Sequence, residues 1–250
     1  MSLFHDSQYE IDYPRETSVE RFGDLELRVE RLKNLERTID QVFDYLSKVG
    51  KPELLEKLCP YFGIVWPSAR ALTHQLSRTP DFELMNKKIL ELGCGLAIPS
   101  LSLAKRGIPV TATDYHPEVA RFLEWNLQGN AVSNNLLRYI EHNWEDESGQ
   151  QSPELHSTLW DRVMGSDILY EARYAETLAQ RIATLLRRTA DARAWIADPG
   201  RPYIQRFTDC MKEHGFEETL ETMKVHDQPE PKEIFLLEFR WSERTLSESA

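Results

Sequence analysis

The stretch Lys88-Ile89-Leu90-Glu91-Leu92-Gly93-Cys94-Gly95-Leu96-Ala97-Ile98 decides the fold of this chain. A short apolar run carrying one acid, Glu91, turns at the alternate glycines Gly93 and Gly95 and continues into a helical pattern. A strand that turns at small residues into a helix leaves backbone N–H groups and a helix N-terminus open to a ligand. The dinucleotide fingerprint needs a third glycine to pack helix against strand beneath a pyrophosphate, and Ile98 stands in that place. The spacing therefore argues against NAD and for a ligand without a pyrophosphate.

Working outward, Asp114 follows the next apolar run, 108–113, about twenty residues on, where a carboxylate accepts from both ribose hydroxyls. Ribose without pyrophosphate points to S-adenosylmethionine (SAM). A dehydrogenase is further disfavoured because the chain has no Tyr-x-x-x-Lys.

Composition bounds the class. A chain of 250 residues buries roughly three quarters of its extended surface, enough for one sizeable core. The net charge of −11 opposes phosphate neutralisation, and no basic stripe interleaved with aromatics occurs, so no nucleic-acid partner is expected. The same balance attracts basic peptides, although it is also a common route to solubility. Cys59, Cys94 and Cys210 are odd in number and widely spaced, which fits neither a disulfide framework nor a zinc pattern. No metal is expected. The opening Met1-Ser2-Leu3-Phe4-His5-Asp6 lacks a basic and then apolar leader, and no run reaches membrane-span length. A cytoplasmic protein with no membrane partner is the expectation.

Residues up to about Thr17 read as an irregular or short-strand arm. From Leu32, apolar residues recur at helical spacing through Leu35, Ile39, Val42, Phe43 and Leu46, and Gly50 with Pro52 stops the pattern. This helix is expected to bury Leu35, Ile39 and Val42, to turn Glu36, Asp40 and Asp44 outward, and to lie near the cofactor edge. Together with the rest of 27–59 it is a candidate for choosing the substrate. A short helix at 54–59 follows. Predicted strands are 88–92, 110–113, 137–141, 162–165, 194–197, 218–225 and 234–241, with helical patterns between them at 99–105, 117–129, 174–188 and 204–214. Another helix, 69–76, precedes the first of these strands. Such alternation predicts an α/β fold: a doubly wound, Rossmann-like, seven-stranded, mostly parallel sheet with an N-terminal helical extension. The last two strands are too close in sequence for a crossover helix, so they form an antiparallel edge pair.

Ligands of open α/β sheets sit beyond the carboxyl ends of the strands. Those ends offer Glu91, Gly93 and Gly95; Asp114; Asn143 with Trp144; Ser166, Asp167 and Tyr170; and the turn Asp198-Pro199-Gly200-Arg201. Each has a plain structural reading as a turn, a helix cap or a core aromatic. Their convergence on one edge of one sheet favours function.

The ordered set Gly63-Ile64-Val65-Trp66-Pro67-Ser68-Ala69, Glu91-Leu92-Gly93-Cys94-Gly95, Asp114, Asn143-Trp144 and Asp167-Ile168-Leu169-Tyr170 resembles the class I methyltransferases of the family-16 lysine methyltransferase type. Asp198-Pro199-Gly200-Arg201 is similar to the branch containing the electron-transfer-flavoprotein β-subunit lysine methyltransferases. The resemblance spans roughly residues 61–241. It implies SAM as cofactor, with Trp66, Glu91, Gly93, Gly95, Asp114, Asn143, Trp144 and Ser166 around it, and Asp167 and Tyr170 facing the accepting nitrogen. It divides the chain into an N-terminal extension (1–60), a methyltransferase domain (61–241) and a polar tail (242–250). Ala97 stands where the family often has glycine, and Asn143 where it often has an acid.

The acceptor stays open between a protein side chain, lysine or histidine, and a small-molecule amine of the nicotinamide N-methyltransferase type. A non-catalytic SAM-fold module is disfavoured by Asp114 together with Asp167 and Tyr170. The sequence does not fix the oligomeric state.

Overall fold

The computed structural model describes residues 11–145, 152–226 and 231–248. The leader reading on the first six residues therefore lies outside the described residues.

The chain opens with a β-hairpin, β1 (Arg15–Phe22) and β2 (Leu25–Leu32), followed by helices α1 (Leu35–Lys48) and α2 (Leu55–Leu58). A second helical pair, α3 (Pro67–Arg78) and α4 (Asp81–Leu84), leads into the main alternation. That alternation runs β3 (Ile89–Leu92), α5 (Ile98–Lys105), β4 (Val110–Asp114), α6 (Val119–Gly129), β5 (Leu137–Glu141), α7 (Pro153–His156), β6 (Arg162–Ser166), α8 (Tyr174–Leu185), β7 (Arg193–Asp198) and α9 (Ile204–Glu213). It closes with β8 (Phe216–Val225), β9 (Lys232–Trp241) and α10 (Glu243–Ser247).

Seven strands form one sheet in the order β5-β4-β3-β6-β7-β9-β8. The first five in that order are parallel, while β9 is antiparallel to both neighbours, β7 and β8. The expected antiparallel pair is present, with β9 inserted between β7 and the edge strand β8. One apolar core, with Leu72, Leu101 and Phe122, lies under α3, α5 and α6; a second, with Leu178, Ile182 and Phe207, lies under α8 and α9. Strands covered on both faces read as continuous apolar runs, which is why Ile89 to Leu92 are all buried. Among the described residues no helix is long and apolar enough to cross a membrane.

The N-terminal reading needs correction. The arm is a fully paired hairpin, registered from Arg15 opposite Leu32 to Phe22 opposite Leu25 around a turn at Gly23 and Asp24. Leu32 belongs to β2, and the helix starts at Leu35 because the Asn34 side chain caps the Arg37 N–H at 2.8 Å. The hairpin is tied down by two amides, one in the last turn of α6 and one at its C-cap. Asn126 and Asn130 accept the Glu30 and Arg28 N–H groups at 2.7 and 2.9 Å, satisfying part of an otherwise open strand edge. Glu20 of β1 also holds Arg70 of α3 at 2.7 and 2.9 Å, and Arg70 reaches the Val65 carbonyl at 3.2 Å. The hairpin thereby braces the segment that carries Trp66.

On α1 the fully buried positions are Thr38, Val42 and Leu46, with Leu35 and Ile39 half-buried and Glu36, Asp40 and Asp44 exposed as expected. In the stretch expected as a polar tail, the described residues include a short helix, α10. Ser242 caps α10 by accepting the Thr245 N–H, and Leu246 packs on the second core.

Candidate active site

The chain reverses direction across the sheet between β3 and β6, where Leu92 pairs with Gly165. A crevice opens at such a switch point because the two connections leave on opposite faces. A cavity of about 960 Å³ lies there. It is within the range of small-molecule sites.

Its floor is the turn after β3. Gly93, Gly95 and Ala97 all adopt left-handed backbone, with φ of 59°, 51° and 54°. A Cβ on Gly93 would stand 2.7 Å from the Trp144 ring, and one on Gly95 would stand 2.9 Å from the Phe62 carbonyl. Both positions therefore require glycine for space as well as for φ. Ala97 accepts the strain with a methyl that is completely buried. From this turn the Gly95 N–H donates to Asp114 Oδ2 at 2.9 Å, and the His116 N–H donates to Oδ1 at 3.0 Å. Burial pushes the Asp114 carboxyl up, opposed by these backbone hydrogen bonds. Each oxygen has accepted one donor and retains capacity for a second.

Glu91 is placed differently. It is absent from the cavity wall and lies fully buried beneath the turn, where Oε2 accepts the Ser100 N–H at 3.1 Å and the Ser100 hydroxyl. Burial pushes its carboxyl up to about 8, against the two Ser100 hydrogen bonds.

Trp66 caps the start of α3 and holds its Nε1–H on the Tyr61 carbonyl at 3.0 Å, at the cavity wall. Asn143 closes a local turn by accepting the Glu145 N–H at 3.0 Å, and Trp144 is buried with its ring against Gly93. Ser166, Asp167 and Tyr170 line the same space after β6. Tyr170 is 37% exposed and meets Tyr174 edge to face at 5.0 Å. Apart from Glu91, the cavity brings together every predicted site residue.

Two contributors, Tyr115 and Tyr174, lie outside the sequence reading of the site, and the role of Arg201, read there only as part of a strand-end turn, is a third addition. Tyr115 lines the cavity directly after Asp114, 6.5 Å ring to ring from Trp144. Tyr174, the first residue of α8, lines the cavity beside Tyr170. Arg201 donates to Asp167 Oδ1 at 2.7 Å and to Asp198 Oδ2 at 2.9 Å. Aromatics immediately after a strand-end acid and at i+4 from a site tyrosine were visible signals; the Arg201 contact spans 34 residues and was not. The N-terminal segment reaches the cavity through Glu53 to Cys59, and no residue of α1 lines it.

SAM fits these residues. The ribose hydroxyls are donors, and Asp114 supplies two fixed, buried acceptors with capacity to spare. Asp167 borders the cavity at 8% exposure, and its Oδ2, buried in this structure, has no partner among the described residues. Tyr115 and Trp144 provide flat apolar faces for a base. Of the cations that line the cavity, Arg173 and Arg201 are committed to carboxylates.

Fold and site together define a class I methyltransferase. Solved structures agree on the fold: magnesium protoporphyrin IX methyltransferase from Synechocystis, with bound SAM, superposes with a TM-score of 0.56 at 16% identity, over 82% of this chain and 97% of that one. Residues 60–197 match the lysine methyltransferase family, and the chain belongs to it. Among curated relatives, the histone-arginine methyltransferase METTL23 of Xenopus laevis is 30% identical over 65% of this chain and 71% of its own length. The human electron transfer flavoprotein beta subunit lysine methyltransferase is 27% identical over 57% of this chain and 50% of its own. The chain is an enzyme of the SAM-dependent kind, as its family membership shows.

Proposed function

We propose that this enzyme transfers the SAM methyl group to a lysine side chain of a protein, in the cytoplasm and without a nucleic-acid partner. The observation that carries this reading is the pairing, in one cavity, of the Asp114 ribose acceptors with the free Oδ2 of Asp167 and the half-exposed Tyr170 ring at the mouth. A partly open mouth admits a tethered side chain. The relatives act on lysine and arginine by name, and a histidine protein methyltransferase homologue from Dictyostelium discoideum is also similar, at 27% identity over 51% of this chain. Lysine is favoured here because the family matched over the site is the lysine one.

Bound SAM supplies an activated methyl on sulfur. The amine lone pair forms the N–C bond as the S–C bond breaks, and sulfur keeps the electron pair. Alignment of nucleophile, methyl and sulfur supplies roughly 7–11 kcal/mol. A lysine amine with a pKa of about 10.4 is neutral about once in 2,500 molecules at pH 7, a cost of roughly 4.6 kcal/mol. Burial beside the sulfonium lowers that cost. Asp167 Oδ2 accepts one amine N–H and so aims the lone pair, while the Tyr170 ring borders the same space. Burial pushes the Tyr115 and Tyr170 phenols up, so neither supplies a phenolate base at neutral pH.

Incubation with SAM carrying a labelled methyl and a cell lysate tests the reading. Protein-bound label recovered as methyllysine after hydrolysis supports it; label in small molecules, methylarginine or methylhistidine overturns it.

A further inference from the structure

This inference rests on the lysine reading above and concerns the turn after β7. Asp198 has a completely buried side chain, and its Oδ1 accepts the N–H groups of Gly200 at 2.9 Å and Arg201 at 2.8 Å. The turn is thereby fixed, and the Arg201 guanidinium spans to the end of β6, with Nη1 on Asp198 Oδ2 and Nη2 on Asp167 Oδ1. Asp167 itself is held in left-handed backbone at φ 59°, its N–H bonded to the Ala197 carbonyl at 3.0 Å. A non-glycine residue in that region stores of order 1–3 kcal/mol of strain, which persists where surrounding contacts over-determine it. Here those contacts are the β7 carbonyl and the Arg201 fork.

We propose that Arg201 is a positioning residue for the methyl acceptor: it fixes Asp167 so that the unpartnered Oδ2 meets the accepting nitrogen, and it offsets the Asp167 charge so that the bound amine is not held as ammonium.

The reason is electrostatic. A lone carboxylate beside an amine favours the protonated form, which has no lone pair to attack with. A guanidinium on the far oxygen, shared with Asp198, weakens that attraction and leaves Oδ2 as an acceptor. Arg suits the task because its planar fork serves two carboxylates at once and stays charged. The other ionisable groups that share the cavity with Asp167 are Glu171 and Tyr170 on its own loop, Cys94 after β3, Asp114, Tyr115 and His116 after β4, Glu145 after β5, Arg173 and Tyr174 at α8, and Glu53, Glu56, Lys57, Cys59 and Tyr61 of the segment around α2. Arg173 pairs with Glu56, Glu145 and Glu171, one cation against three carboxylates, so this cluster keeps a net negative charge beside the cavity. All of them are unchanged by substitution at Arg201.

The test uses the full chain with R201M, R201Q and R201K, protein extract from cells starved of methylation as acceptor, and labelled SAM. Binding of S-adenosylhomocysteine, read by calorimetry, should stay within about threefold of wild type in all three. Protein methylation by R201M and R201Q should fall at least about tenfold near neutral pH, with the acid limb of the pH–rate profile moved up by about one unit. R201K keeps the charge and should keep the wild-type limb. Coincident limbs in all four proteins, or homocysteine-adduct affinity falling as far as the rate, would make Arg201 structural and overturn the proposal. R201Q retains donors for both carboxylates, so it covers the case in which R201M does not fold. A wild-type protein that labels no lysine would overturn the lysine reading and this inference with it, an outcome distinct from active wild type with unmoved limbs.

Discussion

The backbone N–H of Gly95 donates to Asp114 Oδ2 across 2.9 Å, linking the turn after β3 to the end of β4. This bond ties the Asp114 carboxylate and the glycine turn into one unit, since neither can shift without breaking it. A buried N–H left without its acceptor would cost about 1–3 kcal/mol.

Asp114→Ala should therefore act twice. It removes two charge-assisted hydrogen bonds to ribose, each worth roughly 1.5–3 kcal/mol, and it orphans the Gly95 and His116 N–H groups. SAM affinity should fall at least about a hundredfold by calorimetry, and the melting temperature should fall as well. Unchanged affinity would remove Asp114 from the cofactor site.

Gly93→Ala tests the turn by itself. The added Cβ meets Trp144 at 2.7 Å and Ile168 at 2.8 Å while φ is 59°. Left-handed strain of roughly 1–2 kcal/mol adds to overpacking of roughly 1–3 kcal/mol. Thermal unfolding should drop by roughly 5–15 °C for a chain of this size. Because Trp144 must move, SAM affinity should fall too; a variant as stable as wild type would show that the turn has another conformation available.

The acceptor side should separate from the cofactor side. Asp167→Asn keeps the size and an acceptor but presents an amide where Arg201 now binds or where Oδ2 is free. Initial rates should fall by about 10²-fold or more, the scale of a lost proton-handling or positioning group, with SAM affinity changed severalfold at most. Tyr170→Phe keeps the ring packing on Tyr174 and should be mild, whereas Tyr170→Ala should raise KM for a protein acceptor. Equal losses in SAM binding and rate would move either residue to the cofactor side.

Glu91 should make stability depend on pH. Its folded-state carboxyl is pushed up to about 8 from an ordinary 4.5 by burial, so between those values the folded chain holds a proton that the unfolded chain has lost. Its contribution is full below pH ~4.5, declines as pH rises through ~8, and is flat above. Glu91→Gln cannot ionise. Unfolding in denaturant should show wild type and variant similar near pH ~5, and the variant more stable near pH ~9 by an amount on the order of 2–4 kcal/mol. Parallel curves would mean that Glu91 ionises freely in the folded state.

Much of the fold was legible because its signals are local. The apolar runs at 89–92 and 194–197, the helical spacings between strands and the short link before β9 each fix one element within a few residues. The hairpin was legible in principle: Leu25, Leu27 and Val29 alternate after Gly23-Asp24, a two-residue turn signal. Its burial depends on α6 and its C-cap, where Asn126 and Asn130 lie about a hundred residues away and carry no sign of pairing with a strand edge.

By itself the sequence determined the parallel α/β sheet, the glycine turn, and the acids and aromatics at the strand ends, because strand period, helix period and turn chemistry are properties of neighbours along the chain. Tertiary structure alone decided how those residues divide their work. It sent Glu91 under the turn onto Ser100, set Trp144 against Gly93, brought α2 rather than α1 to the cavity, and laid Arg201 on Asp167. Each of these is a contact between elements separated by a crossover or by the width of the sheet. Burial and pairing across such distances follow from packing geometry, which no short stretch of residues encodes.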